Sequence, residues 1–151
     1  MISLPTGEHY FIGMMAAGAG HPSCIVRNMP LQKAPIVAIV DDDDAVRLAT
    51  HYLVRSLGFE TEMFASAEEL LLSPVRTWFC VVSDVNMPGI GGIELQRRLA
   101  ADGRAVPFVF ITAFPDKAIE ERALKAGALG FLSKPFSASA LAAYLERALS
   151  Q

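Results

Sequence analysis

The sequence predicts an α/β fold: one doubly wound, five-stranded parallel sheet with helices on both faces. Three observations predict it. From Ala34 onward, five short apolar runs alternate with five segments whose apolar residues recur every three or four positions, the pattern that builds parallel βαβ units. Several of the runs have no polar break, as strands covered on both faces require. Carboxylates, not a glycine-rich turn, follow the first run, which moves the weight away from a dinucleotide-binding half.

The elements follow in order. Ile36 to Val40 is the first strand. Asp44 is placed to cap a helix carrying Val46, Ala49, Leu53 and Leu57, and Gly58 stops it. Phe59 to Phe64 alternates in character and reads as the second strand. Ser66, with Glu69 three residues on, is a capping box opening a short helix through Leu72, which Pro74 ends. Trp78 to Ser83 is the third strand, with Trp78 a packing residue. Gly89, Gly91 and Gly92 form a loop before a helix from Ile93 to Ala101. Val106 to Ile111 is the fourth strand. Asp116 caps the next helix, which closes at Gly127. Gly130 to Leu132 is a brief fifth strand. Ser137 caps a last helix with Leu141, Leu145, Ala148 and Leu149 on one face. Right-handed crossovers leave few topologies for this series, and a flavodoxin-like order, 2-1-3-4-5, fits best.

The chain has 151 residues, enough for one domain, and 52% are apolar, which excludes a disordered chain. Acidic residues number 16 against 13 basic, a formal charge of −3 that argues against coating nucleic acid. No segment joins a helix-turn-helix pattern to a basic stripe, so direct nucleic-acid binding is not expected. Residues 1–34 differ from the rest. Pro5, Gly7, Gly13, Gly18, Gly20, Pro22 and Pro30 interrupt them, and no period is sustained. They read as a flexible extension, and an over-long start is the plainer account, because Met14, Met15 and Met29 offer later ones. Residues 35–151 form the domain, and the chain stops about where the fifth helix ends, so a stand-alone domain is expected.

The apolar patch Tyr10 to Ala19 has no basic segment before it, so secretion is disfavoured. No window reaches membrane-helix length. Cys24 and Cys80 make no disulfide framework, and Cys80 lies in an apolar run as a small buried residue. A reducing cytoplasm fits all of this.

Ligands of an open parallel sheet bind beyond the carboxyl ends of the strands, where strand order reverses. The sequence places Asp41 and Asp42 after the first strand, Asp84 after the third, Thr112 after the fourth and Lys134-Pro135 after the fifth. Three carboxylates repel unless a cation joins them, and an all-oxygen set suits a hard divalent ion, Mg²⁺ or Mn²⁺. The backbone carbonyl of Asn86 is a candidate further ligand. This set fits phosphoryl transfer to a carboxylate: Asp84, at the end of the central strand, is the candidate nucleophile, while the metal and Lys134 neutralise the transferring oxygens.

Asp43 and Asp44 have duller readings, a solvated turn and a helix cap. His51, beside Arg47 and Arg55, reads as an exposed residue on a partner-facing helix rather than a phosphohistidine. Gly91-Gly92 is too little for a phosphate loop.

The stretches Ile39-Val40-Asp41-Asp42, Ser83-Asp84-Val85-Asn86-Met87-Pro88-Gly89, Phe110-Ile111-Thr112-Ala113 and Leu132-Ser133-Lys134-Pro135-Phe136 together resemble the receiver domains of two-component response regulators, nearest to the FixJ type. The resemblance covers about Ala34 to the C-terminus. It implies the flavodoxin-like fold in its CheY-like form, and a phosphoryl group passed to Asp84 from a histidine kinase or histidine phosphotransfer protein. Asp41, Asp42, Asp84 and the Asn86 carbonyl would hold Mg²⁺. Thr112, Ala113 and Lys134 would bind the phosphoryl group, and Phe131 would be the aromatic switch residue that follows Thr112. The Lys134-Pro135 bond would be cis. The face of the fourth helix, fifth strand and fifth helix would carry the output to a downstream protein or a second copy.

Two other readings compete. A dehalogenase-type phosphatase needs an acid two residues after its nucleophile, and Asn86 stands there. A degenerate scaffold would not retain Asp42, Asp84, Thr112 and Lys134 together.

Overall fold

The computed structural model describes residues 34–74 and 77–150. The extension expected over residues 1–34 therefore lies outside the described residues up to position 33, as does Cys24. Ten elements alternate: β1 (Ile36–Val40), α1 (Asp44–Ser56), β2 (Glu60–Phe64), α2 (Ala67–Leu72), β3 (Cys80–Asp84), α3 (Gly92–Ala101), β4 (Phe108–Thr112), α4 (Lys117–Lys125), β5 (Gly130–Ser133) and α5 (Ala138–Leu149). The strands make one sheet of order β2-β1-β3-β4-β5, and every neighbouring pair is parallel. This is the flavodoxin-like, CheY-like arrangement. No helix among the described residues is long and apolar enough to cross a membrane.

Side-chain alternation divides the core by face. Ala38, Val40 and Val81 on the sheet pack with Ala67 and Leu70 of α2, Leu95 and Leu99 of α3 and Ala123 of α4. Val37, Ile39, Val82 and Ile111 point the other way, against Val54 of α1 and Leu141, Leu145 and Ala148 of α5. Each large apolar side chain buried in this way stabilises the fold by about 1.5–3 kcal/mol. Cys80 is fully buried in the second of these cores, and burial pushes its thiol pKa up to about 12.

Several element ends differ from the sequence expectation. The ladder of β3 starts at Cys80, not Trp78; Trp78 packs in the core as expected, and its indole Nε1 donates to Glu62 Oε1 of β2, 2.8 Å away. β4 starts at Phe108 because Pro107 has no N–H to give the ladder, although its carbonyl accepts from Val81 N. The cap of α1 is Asp43, not Asp44. Asp43 is extended, and its carboxylate accepts from Ala45 N and Val46 N. Asp44 is the first helical residue and pairs with Arg47. The Ser66 cap of α2 forms as expected, accepting from Glu69 N, while Glu69 reaches one residue further back than a capping box does, to Ala65 N.

Gly92 opens α3 hard against the end of β3. A Cβ at this position would run into the backbone carbonyl of Asp84, so only glycine lets the helix start here.

Candidate functional site

The register of the sheet assembles the site. Val40 pairs with Ser83, so Asp41 follows β1 where Asp84 ends β3. Thr112 ends β4 opposite Ser133 of β5, and the Lys134 amide continues that ladder to the Thr112 carbonyl at 2.8 Å. The Lys134-Pro135 bond that follows is cis.

The side chains from these strand ends meet. Asp41 and Asp84 are buried and Asp42 is exposed, yet one carboxylate oxygen from each lies within 4.8 Å of the others. Lys134 Nζ lies 3.0 Å from Asp84 Oδ2 and 3.3 Å from Asp41 Oδ2, a single ammonium set between two acids. The other oxygens face backbone donors: Asp41 Oδ1 accepts from Asp43 N at 2.9 Å, and Asp84 Oδ1 from Asn86 N at 3.1 Å. Thus Asp43, besides capping α1, supplies an N–H to the acidic centre.

Three carboxylates against one ammonium leave an excess of negative charge. Burial raises the pKa of Asp41, and the charge of Asp84 adds to the rise, against the Asp43 N–H and Lys134. Burial works against the charge on Lys134, but its hydrogen bond to Asp84 and the charges of Asp41 and Asp84 outweigh it and raise its pKa. Both shifts favour holding protons, Asp41's chiefly through burial and Lys134's through its acidic partners. An all-oxygen, net-negative donor set of this size fits a hard divalent cation.

Thr112 is buried, and its hydroxyl oxygen accepts from Phe114 N at 3.0 Å and Asn86 Nδ2 at 3.3 Å. A hydroxyl has two acceptor sites and one proton to give. With both acceptor sites engaged, the proton remains for an incoming anion. Ala113 lies exposed beside it, and Phe114 is 76% exposed in the loop to α4. Phe131 of β5 is half-buried, its ring tilted on that of Phe110 at 5.8 Å between centroids.

Two residues escaped the sequence reading. Arg47 Nη1 donates to the Asp41 carbonyl at 2.7 Å, tying α1 to the start of the acidic loop. With Asp43 as the cap, a basic side chain one turn into the helix faces back toward the strand end, so the spacing carried a signal. Glu68 accepts from Ile90 N at 3.1 Å across 22 residues of sequence, for which no local pattern exists. His51, expected to be exposed, is half-buried, with its Nδ1 2.6 Å from Thr61 Oγ1 of β2. Beside the centre, α1 and the β5–α5 loop frame a mostly apolar cleft of about 440 Å³, lined by Val46, Ala49, Leu53, Lys134, Pro135 and Phe136 among others.

Residues 37–146 match a family described as the response regulator receiver domain. The transcriptional regulatory protein FixJ of Bradyrhizobium diazoefficiens is 39% identical over 116 residues, covering 76% of this chain and 57% of that protein. The response regulator protein TodT of Pseudomonas putida is 38% identical over 118 residues, covering 78% and 52%. The chain therefore spans about half the length of these curated relatives. Among solved structures, the crystal structure of FixJ-N superposes with a TM-score of 0.70 at 34% identity, covering 80% of this chain and 97% of that one.

Proposed function

The chain belongs to the response regulator receiver domain family, and on that premise we propose that it is a switch set by phosphorylation of Asp84. One observation carries the reading: Lys134 spans Asp41 and Asp84 at the strand ends, with the Thr112 hydroxyl proton free to donate close by.

In this mechanism Asp41, Asp42, Asp84 and the Asn86 carbonyl would hold Mg²⁺ or Mn²⁺, which would supply positive charge against the transferring phosphoryl oxygens. An oxygen of Asp84 forms the bond to phosphorus. The P–N bond of a phosphohistidine, on a histidine kinase or histidine phosphotransfer protein, breaks, and its electron pair stays on the ring nitrogen. Lys134 pairs with the arriving phosphoryl oxygens. Thr112 donates its hydroxyl proton to one of them, and Ala113 leaves the approach open. The apolar cleft between α1 and the β5–α5 loop receives the donor's helix. Beyond its own phosphorylation and dephosphorylation the chain turns over no substrate.

When Thr112 turns to the phosphate it releases Phe114 N and Asn86, so the β4–α4 loop is freed to move and Phe131 follows. The signal leaves through the face of α4, β5 and α5, by binding a downstream protein, by pairing with a second copy or by passing the phosphate on. The cytoplasm is the setting this chemistry implies.

The test is direct. Incubated with Mg²⁺ and acetyl phosphate and then weighed intact, the protein gains one phosphoryl group, and Asp84→Asn gains none. An Asp84→Asn chain that gains the same mass would sink the assignment.

A further inference from the structure

The loop that leaves Asp84 is anchored at both ends. Near the acid, Asn86 N bonds the Asp84 carboxylate and Asn86 Nδ2 bonds Thr112. At the far end, Gly92 N returns to the Val85 carbonyl at 3.0 Å, closing the turn. Between these ties the chain passes Gly89 in the left-handed region, at φ 77°, a conformation that other side chains adopt only with strain. At this point Glu68 reaches over from α2, and its Oε2 accepts from Ile90 N at 3.1 Å. A Cβ at Gly89 would run into that same carboxylate oxygen. Glu68 itself is exposed, but the helix that carries it is anchored. Its helix is capped by Ser66, and its neighbours Ala67 and Leu70 are completely buried in the core beneath.

We propose that Glu68 is a positioning residue: its hydrogen bond to Ile90 fixes the Asn86–Ile90 loop against α2 and so sets the cation affinity of the acidic centre. The inference rests on the proposed function, because that reading makes Asn86 a ligand. The backbone route is short. Asn86 is four residues from Ile90, and Gly89, the most pliable of those between, is the one Glu68 overlies. Freed from Glu68, the loop samples more conformations, and ordering it again on binding the ion costs affinity. Glu68 touches neither the ion nor the phosphoryl group, so its loss raises the Mg²⁺ concentration needed without lowering the rate at saturation.

Two variants of the full chain test this, Glu68→Ala, which removes the acceptor, and Glu68→Gln, which keeps a carbonyl for Ile90 N–H. Mg²⁺ is titrated against the backbone amide resonances of residues 84–92, hydrogen exchange is read at Ile90, and acetyl phosphate uptake is followed by intact mass across Mg²⁺ concentrations. For Glu68→Ala, Mg²⁺ binding weakens about three- to tenfold, exchange at Ile90 accelerates, and the phosphorylation rate returns to the wild-type value at saturating Mg²⁺. Glu68→Gln stays close to wild type on all three.

Wild-type Mg²⁺ affinity in Glu68→Ala overturns the role of Glu68 and leaves the proposed function standing. So does a rate that stays low at saturation, or a Glu68→Gln chain as impaired as Glu68→Ala. A wild-type chain that neither binds Mg²⁺ nor gains mass overturns both.

Discussion

Lys134 is the counter-ion of a centre that otherwise carries only acids, and its side chain is only 20% exposed. Removing it leaves Asp41 and Asp84 facing each other in a buried position. In the absence of divalent ions, Lys134→Ala should cost about 2 kcal/mol of stability, less than a fully buried pair because water reaches the ammonium. With saturating Mg²⁺ the cost should shrink, since the ion takes over the neutralisation. Urea unfolding with chelator and with Mg²⁺ reads both values, and equal losses in the two would contradict the shared-charge account. The identities of these residues were legible in the sequence because Asp41, Asp42, Asp84, Thr112 and Lys134 each end a strand run. The ties between them were less so. The Arg47 tie to the Asp41 carbonyl lay within reach of the helix spacing once the cap was placed, but that of Glu68 to Ile90 depends on how α2 lies over a distant loop, which no residue spacing encodes across 22 positions.

Among the elements, α3 carries the clearest charge device. Glu94 binds Arg97 and Arg98 together, at 2.6 and 2.9 Å. The hydrogen bonds from Arg97 and Arg98 lower its pKa from 4.5 to about 2. A carboxylate depressed on folding stabilises the native state above its unfolded pKa and loses that effect as pH falls toward its folded value. The stability gap between wild type and Glu94→Gln should therefore be constant above pH 4.5 and close as pH falls toward 2. Added salt should narrow it at every pH, because the group is exposed. Urea midpoints across that range check this, and a gap that widens on acidification would refute it.

At this scale the sequence announced the existence and order of elements, while some of their ends were decided by single bonds. Four successive aspartates allow a cap at more than one of them, and the extended backbone of Asp43 makes that residue the cap rather than Asp44.

For the molecule as a whole, the two faces of the sheet have different duties. One core joins the sheet to α2, α3 and α4, and contains Phe110 with Phe131 against it; the other joins it to α1 and α5. On the proposed function, a switch that begins at Thr112 should move the β4–α4 loop and the first of these faces. A phosphate mimic bound at Asp84 with Mg²⁺ should therefore shift the amide resonances of residues 112–116 and of Phe131 strongly, while Val54 and Leu145, deep in the other core, stay nearly fixed. Unchanged resonances at Phe114 and Phe131 would refute the switch. The fold was legible at this scale because alternating runs and helices, with no glycine-rich turn, admit few parallel topologies. Which helices share a core was not, because packing across the sheet is not a local pattern.

The bonds that make the centre join residues far apart in the chain: Lys134 reaches across 93 positions to Asp41 and across 50 to Asp84. Synthesis delivers Asp41 early and Lys134 among the last residues of the sheet. A half-made chain on the ribosome thus holds acids without their counter-ion. On the proposed function such a chain should take up no phosphate until β5 has docked, so the long closure that slows assembly would also keep unfinished copies from drawing phosphate away from finished ones.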